Sequence, residues 1–308
     1  MAVQMNIMTE TRNKLVNFIE KSGMSQVAIG NAIGKSATTV NRYLHDDYKE
    51  GRVEDLERDI ESFLALQEEK SRNVKHEVKF SQIGAAKQVF AVLSACHARC
   101  EIGVIFGRAG YGKTTALKAY AKHHVGVILA ESGINYTAKD ILSDICNMLG
   151  MDDTGHTSGL FRDALKKLKN SGRLIIVDEA EYMTLSALET LRRLYDMSDG
   201  TIGIVLVGMP RLVDNIIGKK KQLEQLYSRL DRVGEISIMT QSDSVELLKQ
   251  NMPEAVPHAG QLLRYSEGRV RSFIKIINEA RRLSTALNKS VDEQILTEAW
   301  KGLKVLGD

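Results

Sequence analysis

Apolar positions along the 308-residue chain change their spacing twice, and each change predicts a different kind of structure. In the first stretch, Thr11–Glu20 carries Leu15, Phe18 and Ile19, and Val53–Leu66 carries Leu56, Ile60, Phe63 and Leu64. Spacings of three and four put such residues on one face of a helix. Gln67 to Lys79 is charged and poor in large apolar residues, so it reads as a linker. From about Phe80 the pattern alternates. The short apolar runs Ile102–Phe106, Val125–Ala130, Leu174–Val177, Ile202–Val207 and Val233–Met239 are separated by helical stretches. Runs of strand length joined through helices predict a parallel α/β sheet with both faces covered. After Thr240 only helical patterns remain: Ser244–Gln250, Ala259–Glu267, Val270–Leu287 and Val291–Leu303. The expected organisation is an all-α domain over 1–66, a linker over 67–79, an α/β core over 80–240 and a small helical domain over 241–308.

Composition narrows the class without naming a function. Hydrophobic residues make up 43%, enough for a sizeable core, and Lys+Arg 42 against Asp+Glu 39 leaves a net charge of +3. That balance excludes a histone-like polycation and an acidic disordered chain. Three cysteines, Cys96, Cys100 and Cys146, cannot build a disulfide framework, which predicts a reducing compartment. Cys96 and Cys100 stand four apart, but no second Cys/His pair at ligand spacing follows, which argues against a structural metal. No stretch approaches about 18 uninterrupted apolar positions, and no apolar segment follows an N-terminal basic cluster. The expectation is a soluble, cytoplasmic protein with no membrane partner.

The strongest chemical signal is Gly107-Arg108-Ala109-Gly110-Tyr111-Gly112-Lys113-Thr114. It has the pattern of a phosphate-binding loop and stands between an apolar run and a helical stretch opened by Thr115. Glycines let backbone N–H groups turn inward around phosphate oxygens. Lys113 can then reach the outer phosphates of a nucleotide, and the Thr114 hydroxyl can ligate Mg²⁺. The second signal is Leu174-Ile175-Ile176-Val177-Asp178-Glu179, a strand-like run ending in two acids. Buried carboxylates need a cation or donors. Asp178 suits a hydrated Mg²⁺, and Glu179 suits the orientation or deprotonation of an attacking water.

Together these motifs and the terminal helices resemble the AAA+ ATPases, which implies ATP and Mg²⁺ as cofactors and ATP hydrolysis as the activity. The resemblance also implies an arginine that reaches the nucleotide of a neighbouring subunit. Leu226-Tyr227-Ser228-Arg229-Leu230-Asp231-Arg232 is similar to that segment, with Arg229 preferred and Arg232 in reserve. Gly268-Arg269-Val270-Arg271 is similar to the lid motif in which Arg271 faces the nucleotide. One departure stands out. Family members carry a polar residue after the fourth strand, whereas this chain has Met209, so either another residue substitutes or hydrolysis is slow.

Ser25 to Leu44 resembles a repressor-type helix-turn-helix, with small Ala28 at the helix crossing, Gly34 in the turn and Ser36 as a cap. Val40 and Leu44 would pack inward, leaving Lys35, Thr38, Thr39, Asn41 and Arg42 toward a DNA groove or its phosphates. A protein-interaction module with the same packing is the alternative, and the segment's near-balanced charge predicts weak DNA binding on its own. Arg162, Lys166 and Lys167 line a helix, and Lys219, Lys220 and Lys221 form a basic loop. These runs are either solvated faces or nonspecific phosphate contacts. The order of modules resembles the target-DNA-binding ATPases of phage transposition. That resemblance implies double-stranded DNA, a DDE transposase and further copies of the chain (a helical filament or ring) as partners, with hydrolysis driving disassembly. The competing readings are a helicase-loader or secretion-type ATPase and an ATP-switched repressor.

Overall fold

A computed structural model describes residues 2–45, 47–48, 53–72, 78–218 and 224–304. The basic loop Lys219, Lys220 and Lys221 lies outside the described residues. The chain divides into two compact units, Met1–His76 and Glu77–Asp308.

The first unit is helical: α1 (Ala2–Ser22), α2 (Gln26–Ala32), α3 (Ala37–Leu44) and α4 (Val53–Arg72). Leu15, Ile29, Val40, Tyr43, Leu56, Ile60 and Phe63 form its core. Helix α4 continues through Arg72, so the first six residues of the expected linker are helical. Charge density suggested a linker there, but Gln67, Glu68, Glu69, Lys70 and Arg72 are good helix formers and extend the helix beyond its apolar stripe. Ser25 and Ser36 cap α2 and α3 by accepting the N–H groups of Ala28 and Thr39. Gly34 turns the chain at φ +66°. The crossing itself depends on a different residue from the one expected. Ala28 is exposed, whereas a Cβ on Gly30 would stand 2.8 Å from the Lys35 carbonyl. Gly30 also accepts the Lys35 N–H at 2.8 Å, closing α2 onto the turn.

The second unit begins with α5 (Gly84–Arg99). It continues through β1 (Ile102–Phe106), α6 (Lys113–His123), β2 (Val127–Glu131), α7 (Ala138–Met148), α8 (Thr157–Leu168) and β3 (Leu174–Asp178). After a 3₁₀ turn at Ala180–Tyr182 come α9 (Leu185–Met197), β4 (Gly203–Gly208), α10 (Pro210–Gly218), α11 (Glu224–Tyr227) and β5 (Leu230–Glu235). All strand pairs are parallel, in the order β2-β3-β4-β1-β5. Alternation assigns the faces. Val104, Ile175, Val177, Ile204 and Leu206 pack toward α7–α9, and Ile105, Leu174, Ile176, Val205 and Val207 pack toward α5 and α6. The fifth strand differs from expectation by starting at Leu230 rather than Val233. It is an edge strand of alternating exposure, so its polar half was hidden from a search for apolar runs.

The remaining helices are α12 (Gln241–Asn251), α13 (Ala259–Tyr265), α14 (Val270–Leu287) and α15 (Glu293–Lys304), around Leu247, Leu248, Phe273, Ile277 and Leu296. Asp243 caps α12 by accepting the Thr240 N–H at 2.9 Å and ties this bundle to α5 by accepting the Gly84 N–H at 2.7 Å.

Candidate active site

The ends of β1, β3 and β4 and the start of α14 enclose a cavity of about 320 Å³. Its floor is the loop after β1. Gly110 and Gly112 lie at φ +82° and +93°, conformations a side chain resists. The Gly107 N–H donates to the Gly208 carbonyl at 3.2 Å, binding the loop to β4. The Arg271 N–H donates to the Gly110 carbonyl at 3.0 Å, binding the loop to α14. Lys113 donates to the carbonyls of Gly107 at 2.5 Å and Arg108 at 3.1 Å. Burial lowers the Lys113 pKa, and the nearby Asp178 and Glu181 partly offset that effect.

The acids stand opposite. The Thr114 hydroxyl donates to Asp178 Oδ2 at 2.6 Å, and Asp178 Oδ1 accepts the Glu179 N–H at 3.0 Å. A hydroxyl and a carboxylate this close are hard oxygen donors of the kind Mg²⁺ takes, usually with waters completing its shell. Glu179 sits in the left-handed region at φ 56°, a strained position for a side-chain-bearing residue. Buried Ser132 donates to its carbonyl at 2.6 Å and holds that turn. Partial burial, and then the negative charges of Asp178, Glu131 and Glu181, raise the Glu179 pKa above the ordinary carboxylate value.

Most expected residues meet here. Ala109, Gly110, Gly112, Lys113, Thr114, Thr115, Asp178, Glu179, Met209 and Arg271 line the cavity. Tyr111 lines an adjoining apolar recess of about 80 Å³ with Phe80 and Ile83. Arg229 does not join them. It precedes β5, whose Leu230 pairs with Ile102, whereas the phosphate-type loop follows Phe106. At about 3.3 Å per residue the strand separates the two ends by roughly 13 Å. There Arg229 Nε donates to Asp196 Oδ1 at 2.5 Å. Arg232, the reserve, donates to Glu101 at 2.5 Å across the sheet edge. Arg162, Lys166 and Lys167 are exposed on α8. In the first unit Lys35, Thr38, Asn41 and Arg42 are exposed, with Lys35 3.5 Å from Asp59. Thr39 is half-buried and shares a 2.9 Å hydrogen bond with Ser36.

Two charged cavity residues were missed from sequence, Glu181 and Lys275. Lys275 follows Arg271 by one helical turn, a readable spacing. Glu181 is the third acid of Asp178-Glu179-Ala180-Glu181, and its contacts arise only once β4 lies beside β3.

Comparison with known proteins fits this geometry. The family described as "AAA domain" matches residues 96–216, spanning the loop after β1 and the acids after β3. The chain is 26% identical to the "ATP-dependent target DNA activator B" of Escherichia phage Mu, over 92% of this chain and 91% of that protein. The protein is an ATPase with an AAA domain over residues 96–216. The ATPase is also 28% identical to the "Mu-like prophage FluMu DNA transposition protein B" of Haemophilus influenzae, over 75% of this chain and 82% of that protein. Among solved structures, the Aeropyrum pernix ORC2 protein in its ADP form aligns with a TM-score of 0.57 at 19% identity, covering 77% of this chain and 74% of that one. That likeness supports the AAA+ fold. Among the described residues no helix is long and apolar enough to cross a membrane.

Proposed function

We propose that the ATPase binds duplex DNA with little sequence preference as an ATP-loaded homo-oligomer, delivers that DNA to a DDE transposase, and leaves it when ATP is hydrolysed. The observation that carries this reading is the end-to-end similarity to a target DNA activator, which spans the helical first unit as well as the ATPase core.

In the hydrolytic site the loop amides and Lys113 bind the phosphates, and Arg271 faces them from α14. Thr114 and Asp178 would hold Mg²⁺, which supplies charge neutralisation at the outer phosphates when bound. Glu179, on the cavity wall next to Asp178, orients and deprotonates the attacking water. Arg229, at the opposite end of the sheet from its own loop, suits a contact with the nucleotide of the next copy. Assembly then depends on nucleotide state, because each triphosphate is completed by two copies.

In the first unit, capped helices α2 and α3 fit a helix-turn-helix that presents Lys35, Thr38, Thr39, Asn41 and Arg42 to DNA, and α8 adds Arg162, Lys166 and Lys167. Electron microscopy of the protein on random-sequence duplex tests the proposal. ATP-dependent coating that ADP does not support is expected. Occupancy of one sequence without coating would favour a repressor, and indifference to DNA would favour a loader or secretion role.

A further inference from the structure

Met209 leaves the end of β4 without a polar side chain, yet the structure brings a polar group to that point from elsewhere. Glu181 belongs to the 3₁₀ turn after β3 and lines the cavity. Its side chain is 2% exposed. A buried carboxylate is costly unless donors and cations surround it, and here each oxygen has a partner. Oε2 accepts the Met209 N–H at 3.2 Å, and Oε1 lies 3.4 Å from Arg211 Nη2. Arg211, at the start of α10, lays its guanidinium over the Tyr182 ring, 4.4 Å from the centroid. The packing leaves no slack: a Cβ on Gly208 would stand 2.2 Å from Glu181 Oε2.

We propose that Glu181 is a positioning residue for ATP hydrolysis, fixing the Met209 amide on the cavity wall and holding the Arg211 guanidinium beside it. Glu181 thereby performs from the β3 side the task a polar side chain after β4 would perform. A guanidinium that is both paired and stacked is already oriented, so its donors need no reorganisation when charge develops on the terminal phosphate. In this role Glu181 acts through its contacts with Met209 and Arg211. This inference rests on the reading of Asp178 and Glu179 as the metal and water end of the site.

The test measures phosphate release and binding of a fluorescent ATP analogue by the full-length protein. The variants are Glu181→Gln, Arg211→Gln, the double variant and Arg211→Lys, with Glu179→Gln in parallel. Glu181→Gln should lower kcat about 100-fold, the effect of a small misplacement, while KM and nucleotide affinity stay within about threefold. Exposed Arg211→Gln should do the same without threatening the fold. The double variant should be no worse than the worse single one, and Arg211→Lys should recover part of the loss. The proposal is overturned if Glu181→Gln keeps kcat within about threefold of the parent. It is also overturned if the two losses multiply, or if nucleotide affinity falls in step with kcat. Full turnover by Glu179→Gln beside a slow Glu181→Gln would remove Glu179 from its role and leave the positioning role standing.

Discussion

The nucleotide end of the sheet and the helical first unit are built on opposite principles. At the sheet end the loop amides are held by strand and helix neighbours, and the side chains meet one another within the site. Thr114 is bonded to Asp178, Lys113 to Gly107 and Glu181 to Met209. In the first unit four of the five residues expected to meet DNA are exposed, and the unit carries 11 Lys+Arg against 12 Asp+Glu over residues 1–76. A preorganised site can bind tightly as one copy. A near-neutral surface cannot hold phosphates tightly alone, because counterion release scales with the charges neutralised. The comparison teaches why assembly should matter: many weak DNA contacts become useful when a strong nucleotide site strings copies together.

The largest expected effect tests the strong side. Lys113→Ala should weaken ATP binding by about 100-fold, as a lost charged hydrogen bond implies, and DNA coating should vanish with it. Titration with a fluorescent nucleotide and filament counts would check both, and ATP-dependent filaments in that variant would contradict the loop assignment. Next, Glu179→Gln should slow phosphate release by about 10²–10³-fold while ATP stays bound and the protein stays on DNA. Normal disassembly would break the link between hydrolysis and release.

Smaller effects probe the weak side and the joints. Gly30→Ala forces a methyl against the Lys35 carbonyl. Overpacking of that kind costs about 1–3 kcal/mol. Calorimetry should show the first unit melting earlier with DNA-free hydrolysis unchanged. Asp243→Asn weakens the tie between α12 and α5, by about 1–2 kcal/mol. Burial alone would raise the Asp243 pKa, but hydrogen bonds from Thr240 and Gly84 outweigh it and hold the value below the ordinary 3.8. A depressed folded-state pKa contributes stability that is fully present above 3.8 and fades as pH falls through the lower folded value. Denaturation from pH 6 downward should therefore show the parent losing its advantage over Asp243→Asn only in acid. Arg42→Ala should lower the salt dependence of DNA binding by about one phosphate contact.

Legibility followed the range of the physics. The loop Gly107–Thr114 and the acids Asp178 and Glu179 could be read because strand, turn and helix are consecutive in sequence, and the strand alternation that packs the sheet is equally local. The helices from α12 to α15 were readable from their apolar stripes. Three features were not. Gly30 matters because of where the next turn folds back, so small size at Ala28 misled. The polar half of β5 lay outside the apolar run expected from Val233, because Asp231 and Arg232 reveal their strand only through Ile102 and Glu101. Glu181 acts on a residue 28 positions away in sequence, through a strand pairing that no local pattern reveals.

Mixing two inactive variants tests the shared site most directly. Arg229→Ala subunits keep an intact loop but lack the arginine proposed for a neighbour, and Lys113→Ala subunits keep that arginine but should bind ATP about 100-fold more weakly. Phosphate release should be negligible for each alone and should return when they are mixed on duplex DNA. Full hydrolysis by Arg229→Ala alone, or a mixture as inactive as its parts, would show that the triphosphate is not completed by a second copy of the chain.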